Sequence, residues 1–366
     1  MADTDLNQEE LFNLENELEA NDDFNESPPS DIVAYNELRS CADLLRMYEE
    51  KQLEIQPEFQ REIVWNNSMK TRLIDSLTKQ LPIPSLCISF DYKTQERFVI
   101  DGLQRIATII QFLDDDTKKE WKLAKLEDID DKISGKTNLT IKKKYSDIFS
   151  KVQNTVLPIT VIRCDYSKKS HMNYLFTIFH RLNSGGSKLT NQEIRNCIYN
   201  GKLNSLLREL KDDINYKLLF NIEEEKVYRF SNEELILRFL AFYSNLSKYN
   251  GSLSKFLNDY MEDNKNPNDH KIDELREIFL RSISLILNNI TNNLPLKRLS
   301  KATTEALLIG IAHNIHALEA EKPSDTKQRF ENLKNDPLFS IEELKEGLAQ
   351  KDKVINRINK AIEIFQ

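Results

Sequence analysis

The run Asp101-Gly102-Leu103-Gln104-Arg105 brings a carboxylate, a glycine, an amide and a guanidinium into five residues. It lies where a strand gives way to a helix. Arg97-Phe98-Val99-Ile100 before it is β-branched and apolar. Ile106, Ile109, Ile110 and Leu113 after it share one helical face. Backbone N–H groups are unpaired at a helix start, and glycine lets a ligand approach the backbone closely. The junction is therefore suited to an anion. Arg105 in the first turn opposes the helix dipole unless something negative meets it. A phosphate meets that need. So does a carboxylate of the protein itself, in a tight turn, and five residues alone do not choose between the two.

Two further polar clusters stand apart in sequence. Gln60-Arg61 follows Pro57, and His180-Arg181-Leu182-Asn183-Ser184-Gly185-Gly186 continues to Glu193 and Arg195. The stretch from Asn183 to Gly186 offers backbone donors suited to a phosphate or a base edge. Thr190 and Glu193 have capping-box spacing. Arg195, two residues on, is expected to pair with an acid or a phosphate. Other chemistries lack their residues. There is no P-loop, nucleophile elbow or zincin helix. His313 and His316 form a helical pair without further ligands, and His270 stands alone, so no metal site is expected. The four cysteines, at 41, 87, 164 and 197, fit neither a zinc pattern nor a disulfide scaffold. Cys87 and Cys164 lie in strand-like runs and read as small core residues, which points to a reducing cytoplasm.

The elements that must position these groups read as follows. Residues 36–50 and 66–80 are amphipathic helices, the second broken by Leu81-Pro82-Ile83-Pro84. Ser85–Phe90 and Glu96–Ile100 are strands around a hairpin-length connection, and the signature turn with its helix comes next. Residues 114–153 are highly charged and read as a peripheral insertion centred on Lys142-Lys143-Lys144. Leu157–Cys164 is a further strand. Residues 168–182 form a helix, and Thr190 opens another that stops near Gly201. Helical periodicity runs almost throughout from 203 onward. The expectation is an α+β chain: a leader over 1–31, a small α/β domain over 32–200, and an all-helical domain over 201–366.

The formal net charge of −8 hides an asymmetry. Residues 1–31 hold eleven acids and no base, so 51 basic and 48 acidic residues remain and the body carries +3. The leader reads as mobile, and either as a merely solubilising tail or as a polyanion that competes with nucleic acid for basic runs such as Lys142–Lys144 and Lys168-Lys169. No apolar run approaches the ~18 residues needed to span a bilayer, so no membrane partner is expected.

Taken together, the clusters resemble the N-terminal domain family of the GmrSD restriction endonuclease, with a ParB/sulfiredoxin-like fold. That family reads Pro-x-x-Gln-Arg, Trp, Leu-Ile-x-Ser, Pro-Ile-Pro and Asp-Gly-Gln-Gln-Arg in order. This chain has Pro57-Glu58-Phe59-Gln60-Arg61, Trp65, Leu73-Ile74-Asp75-Ser76, Pro82-Ile83-Pro84 and then the turn at Asp101. Arg181-Leu182-Asn183-Ser184-Gly185-Gly186, Leu189-Thr190-x-x-Glu193-Ile194-Arg195 and Leu237-Arg238-Phe239-Leu240-Ala241 extend the likeness over roughly residues 40–310. The resemblance implies a nucleotide-handling protein of a prokaryotic, DNA-directed defence system. Relatives hydrolyse nucleoside triphosphates and sense modified DNA, and some carry a His-Asn-His nuclease module, which is missing here.

The resemblance implies a nucleoside triphosphate as cofactor, with or without Mg²⁺, and DNA and a nuclease or other defence protein as partners. Gln60, Arg61, Gly102, Arg105, His180, Arg181 and Asn183 would bind the nucleotide. Asp101 and Gln104 would serve turnover, Asp101 by holding a metal-bound water or orienting Arg105. Leu103 stands where the family has its first Gln, which removes a polar side chain and puts hydrolysis in question. Sulfiredoxin-like chemistry, which needs a Cys there, is excluded. Two alternatives stay open: a non-enzymatic DNA- or partner-binding module with a decayed nucleotide site, and a stand-alone metal-dependent nuclease.

Overall fold

The computed structural model describes residues 27–55, 65–182, 190–222, 231–297, 299–345 and 348–366. The chain is α+β, and its described residues divide into two compact units, 25–188 and 189–366. Most of the acidic leader, residues 1–26, lies outside the described residues, as do Gln60, Arg61 and Asn183.

The first unit is built on a mixed five-stranded sheet. Its strands are β1 (Val33–Ser40), β2 (Leu53–Glu54), β3 (Leu86–Asp91), β4 (Arg97–Asp101) and β5 (Val156–Cys164), in the spatial order β1-β5-β3-β4-β2. β3 runs parallel to β5 and antiparallel to β4, so the strand that ends at Asp101 is held from the middle of the sheet. The helices are α1 (Cys41–Glu49), α2 (Asn67–Thr78), α3 (Leu103–Leu113), α4 (Asn138–Lys144), α5 (Ser146–Asn154) and α6 (Lys169–Leu182). Strand side chains alternate between faces. Leu86 and Ile88 of β3 and Leu157, Ile159 and Val161 of β5 meet Ile106, Ile109 and Ile110 of α3 in one core. Cys87, Ser89 and Asp91 alternate with these along β3, and α6 packs against β4.

Two expectations are corrected here. Residues 36–40 are strand, not helix: Val33–Ser40 pairs antiparallel with β5, with Val33 opposite Arg163 and Ser40 opposite Val156. The helix begins only where Ser40 Oγ accepts from Asp43 N at 3.1 Å. The charged stretch 114–153 is no peripheral insertion. Trp121, Leu123, Ile133, Ile141, Ile148, Phe149 and Val152 are buried in the same core as α3, while the lysines between them face outward. Lys142 pairs with Asp115 at 2.7 Å.

The second unit is helical throughout its described residues. Its first helix, α7 (Asn191–Ile198), is opened by a capping box in which Thr190 and Glu193 serve each other's backbone N–H. Sequence reading placed this helix with the α/β domain. In the structure it belongs to the helical unit, whose α8 (Ser231–Asn245) and α9 (Leu253–Asp263) both pack on it.

Candidate functional site

Gly102 is the N-cap of α3 and sits at φ +94°, in the left-handed region that favours glycine. Space requires glycine as well: a Cβ there would stand 2.2 Å from the Leu86 side chain. Glycine brings no capping side chain, and no described side chain caps α3. A helix start whose N-cap supplies no side-chain acceptor is the kind of place that an anion can serve.

Arg105 answers the question that the sequence left open. Its Nη2 donates to Asp101 Oδ2 at 2.8 Å and to the Ser85 carbonyl at 3.4 Å, and its Nη1 donates to the Pro84 carbonyl. The guanidinium lies folded against the turn with its side chain 13% exposed, whereas the Asp101 side chain is 40% exposed. The observed geometry is thus the tight turn with an internal carboxylate. Gln104 is half-buried, and its Oε1 is enclosed with no hydrogen-bond partner among the described residues. That oxygen accepts and does not donate, so it suits a hydroxyl, an amine or a water and not a bare phosphate.

Leu103 opens α3. It is partly buried and packs against the core with Ile106 and Ile110. A glutamine in its place would bury its amide against that apolar cluster.

His180 and Arg181 lie in the last turn of α6, the first half-buried and the second exposed. Cations there complement the helix dipole. The helix that carries them packs on β4, the strand that ends at Asp101.

Arg195 is enclosed in the helical unit at 1% exposure. It donates to Asn258 Oδ1 at 2.8 Å, to Gln192 Oε1 at 3.3 Å and to Glu234 Oε2 at 3.0 Å. Asn196 and Lys211 both donate to Glu233 beside it, each at 2.6 Å. Burial alone would raise the Glu234 carboxyl, but Arg195, Arg238 and Lys301 outweigh it and hold the group below its ordinary value. Of the two partners expected for Arg195, the structure gives it the acid.

Sequence reasoning missed the row beside Arg105. Ser85 Oγ approaches Thr160 Oγ1 at 3.4 Å and the Pro158 carbonyl at 3.2 Å, and Thr160 Oγ1 donates to Asn36 Oδ1 at 2.9 Å. Only the Pro82-Ile83-Pro84 motif marked this place, and its function is now visible: Pro84 supplies a carbonyl to Arg105. Cys87 lies in the same strand, with its thiol pushed up to about 12 by burial and secondarily by Asp101. All four cysteines are buried and none is in a disulfide. No group of acids, histidines and cysteines suited to a metal occurs among the described residues, and no described helix is long and apolar enough to cross a membrane.

The first unit is thus a mixed sheet whose central hairpin feeds a glycine-capped helix, with an arginine folded over its start. Residues 41–200 match the family model for the GmrSD restriction endonuclease N-terminal domain, and this part of the chain belongs to that family. That domain points to restriction and defence. Among curated proteins and among solved structures nothing matches the chain.

Proposed function

We propose that this chain is a nucleotide-binding regulatory protein of a DNA-directed defence system, with its phosphate site at the start of α3. The observation that carries this is the uncapped, left-handed Gly102 turn with the Arg105 guanidinium laid against it. Helix-start amides and a fixed cation together suit a phosphate better than either does alone. Gly102 and Arg105 hold phosphate oxygens. The enclosed Gln104 Oε1 accepts from a ligand hydroxyl or from a water, and Asp101 orients Arg105 until a phosphate takes its place. Gln60, Arg61, His180, Arg181 and Asn183 complete the walls in this proposal. A nucleoside triphosphate is the cofactor, with Mg²⁺ on its phosphates. DNA and a nuclease or other defence protein are the partners.

Turnover is the narrower proposal. It requires water to attack the terminal phosphorus, with Asp101 and Gln104 orienting that water. The engagement of Arg105 by Asp101 and two backbone carbonyls favours the second reading, a module that binds DNA or a partner without turning nucleotide over. Titration of the four nucleoside triphosphates, with phosphate release followed in parallel, separates the two. Binding with release supports the enzyme, and binding without release supports the module. Absence of binding by all four overturns the nucleotide site.

A further inference from the structure

Resting on the phosphate reading of the α3 turn, we infer that Asp101 is a built-in competitor that keeps the site closed to anions. Three acceptors hold the Arg105 guanidinium, and they are not equivalent. The Pro84 and Ser85 carbonyls belong to the backbone leading into β3, next to a Leu86 with no exposure, so they stay with the fold. Asp101 instead reaches Arg105 through a short side chain that is 40% exposed. Turning this carboxylate out returns it to water at little cost, and the two carbonyls still aim the guanidinium at the turn. An incoming phosphate therefore replaces Asp101 alone.

The exchange has a thermodynamic consequence. While Asp101 occupies Arg105, the fraction of molecules able to bind an anion is reduced, and apparent affinity falls by that fraction. The reduction applies to every anion alike, so only ligands with strong charge-assisted contacts of their own are retained. Release of Asp101 also leaves a negative charge beside the bound phosphate, which opposes retention further. Asp101 thus holds Arg105 in place in the empty site and is the group that a ligand must overcome.

The test uses the full chain, inorganic triphosphate in the presence of a chelator, and titration calorimetry. Asp101→Asn should bind triphosphate about two- to fivefold more tightly than the parent, the scale of a partly exposed ion pair. Asp101→Ala, which removes the acceptor altogether, should gain at least as much. The same change made on an Arg105→Ala background should give a clearly smaller gain, because the competition acts through Arg105. Equal or weaker binding by both Asp101 variants overturns the competitor role. An equal gain with and without Arg105 overturns it too, because it reduces Asp101 to a repelling charge. The outcome is distinct from failure of the site itself, which would appear as unchanged affinity in Arg105→Ala.

Discussion

Arg105 and Asp101 stand four residues apart and meet at 2.8 Å on either side of the left-handed Gly102. The cation that the turn offers to a ligand is thus already satisfied by the carboxylate of the turn. One residue arrangement serves the fold and, in the function proposed above, the phosphate site, and substitutions around it divide accordingly.

Gly102→Ala should destabilise the first unit by about 2–4 kcal/mol. A side chain there combines a strained backbone with a collision against Leu86. Denaturant unfolding measures this, and a midpoint equal to the parent's would show that Leu86 yields without cost.

Leu103→Gln is expected to lower stability by about 1–2 kcal/mol and to leave nucleotide hydrolysis no faster, because position 103 packs against the core. Unfolding and phosphate-release assays on the same preparation decide it. A rise in turnover above the parent would return Leu103 to the site.

These two positions mark how far the sequence could be read. The strand, the glycine and the helix were legible because apolar period, β-branching and a turn residue all agree there. The capping box at Thr190 and Glu193 was legible for the same reason. Residues 36–40 misled because the helical spacing of Leu38, Cys41, Leu44 and Leu45 runs straight across the cap at Ser40, and only pairing with β5 makes the first part a strand. The partners of Arg105 and Arg195 were not legible. Pro84 lies 21 residues from Arg105, and Glu234 lies 39 from Arg195, distances that only the fold closes.

Removing Arg195 should be costly to the helical unit. Arg195→Met leaves Glu234 buried without its hydrogen-bonded cation, a change expected to cost about 3 kcal/mol or more. Thermal unfolding should register this, and Arg195→Met with Glu234→Gln should recover part of the loss. Lack of any coupling between the two would contradict the ion pair.

Acid should release the start of β1. Asp31 is held at about 2, below its ordinary 3.8, chiefly by Lys168 and then by His171. A carboxyl depressed by folding stabilises above its unfolded pKa, and the effect fades as pH falls from about 4 towards 2. The stability difference between the parent and Asp31→Asn should therefore be constant above about pH 5 and shrink below pH 4. A difference that persists to pH 2 would show that charge is not its source.

The central claim is that Arg105 at the Gly102 turn holds a nucleotide phosphate. Titration calorimetry of ATP against the parent and Arg105→Ala, with circular dichroism to establish that both are folded, tests it most directly. Losing a charge-assisted contact should weaken binding by about 1.5–3 kcal/mol, at least tenfold in affinity. Equal affinity in two folded proteins would contradict the assignment.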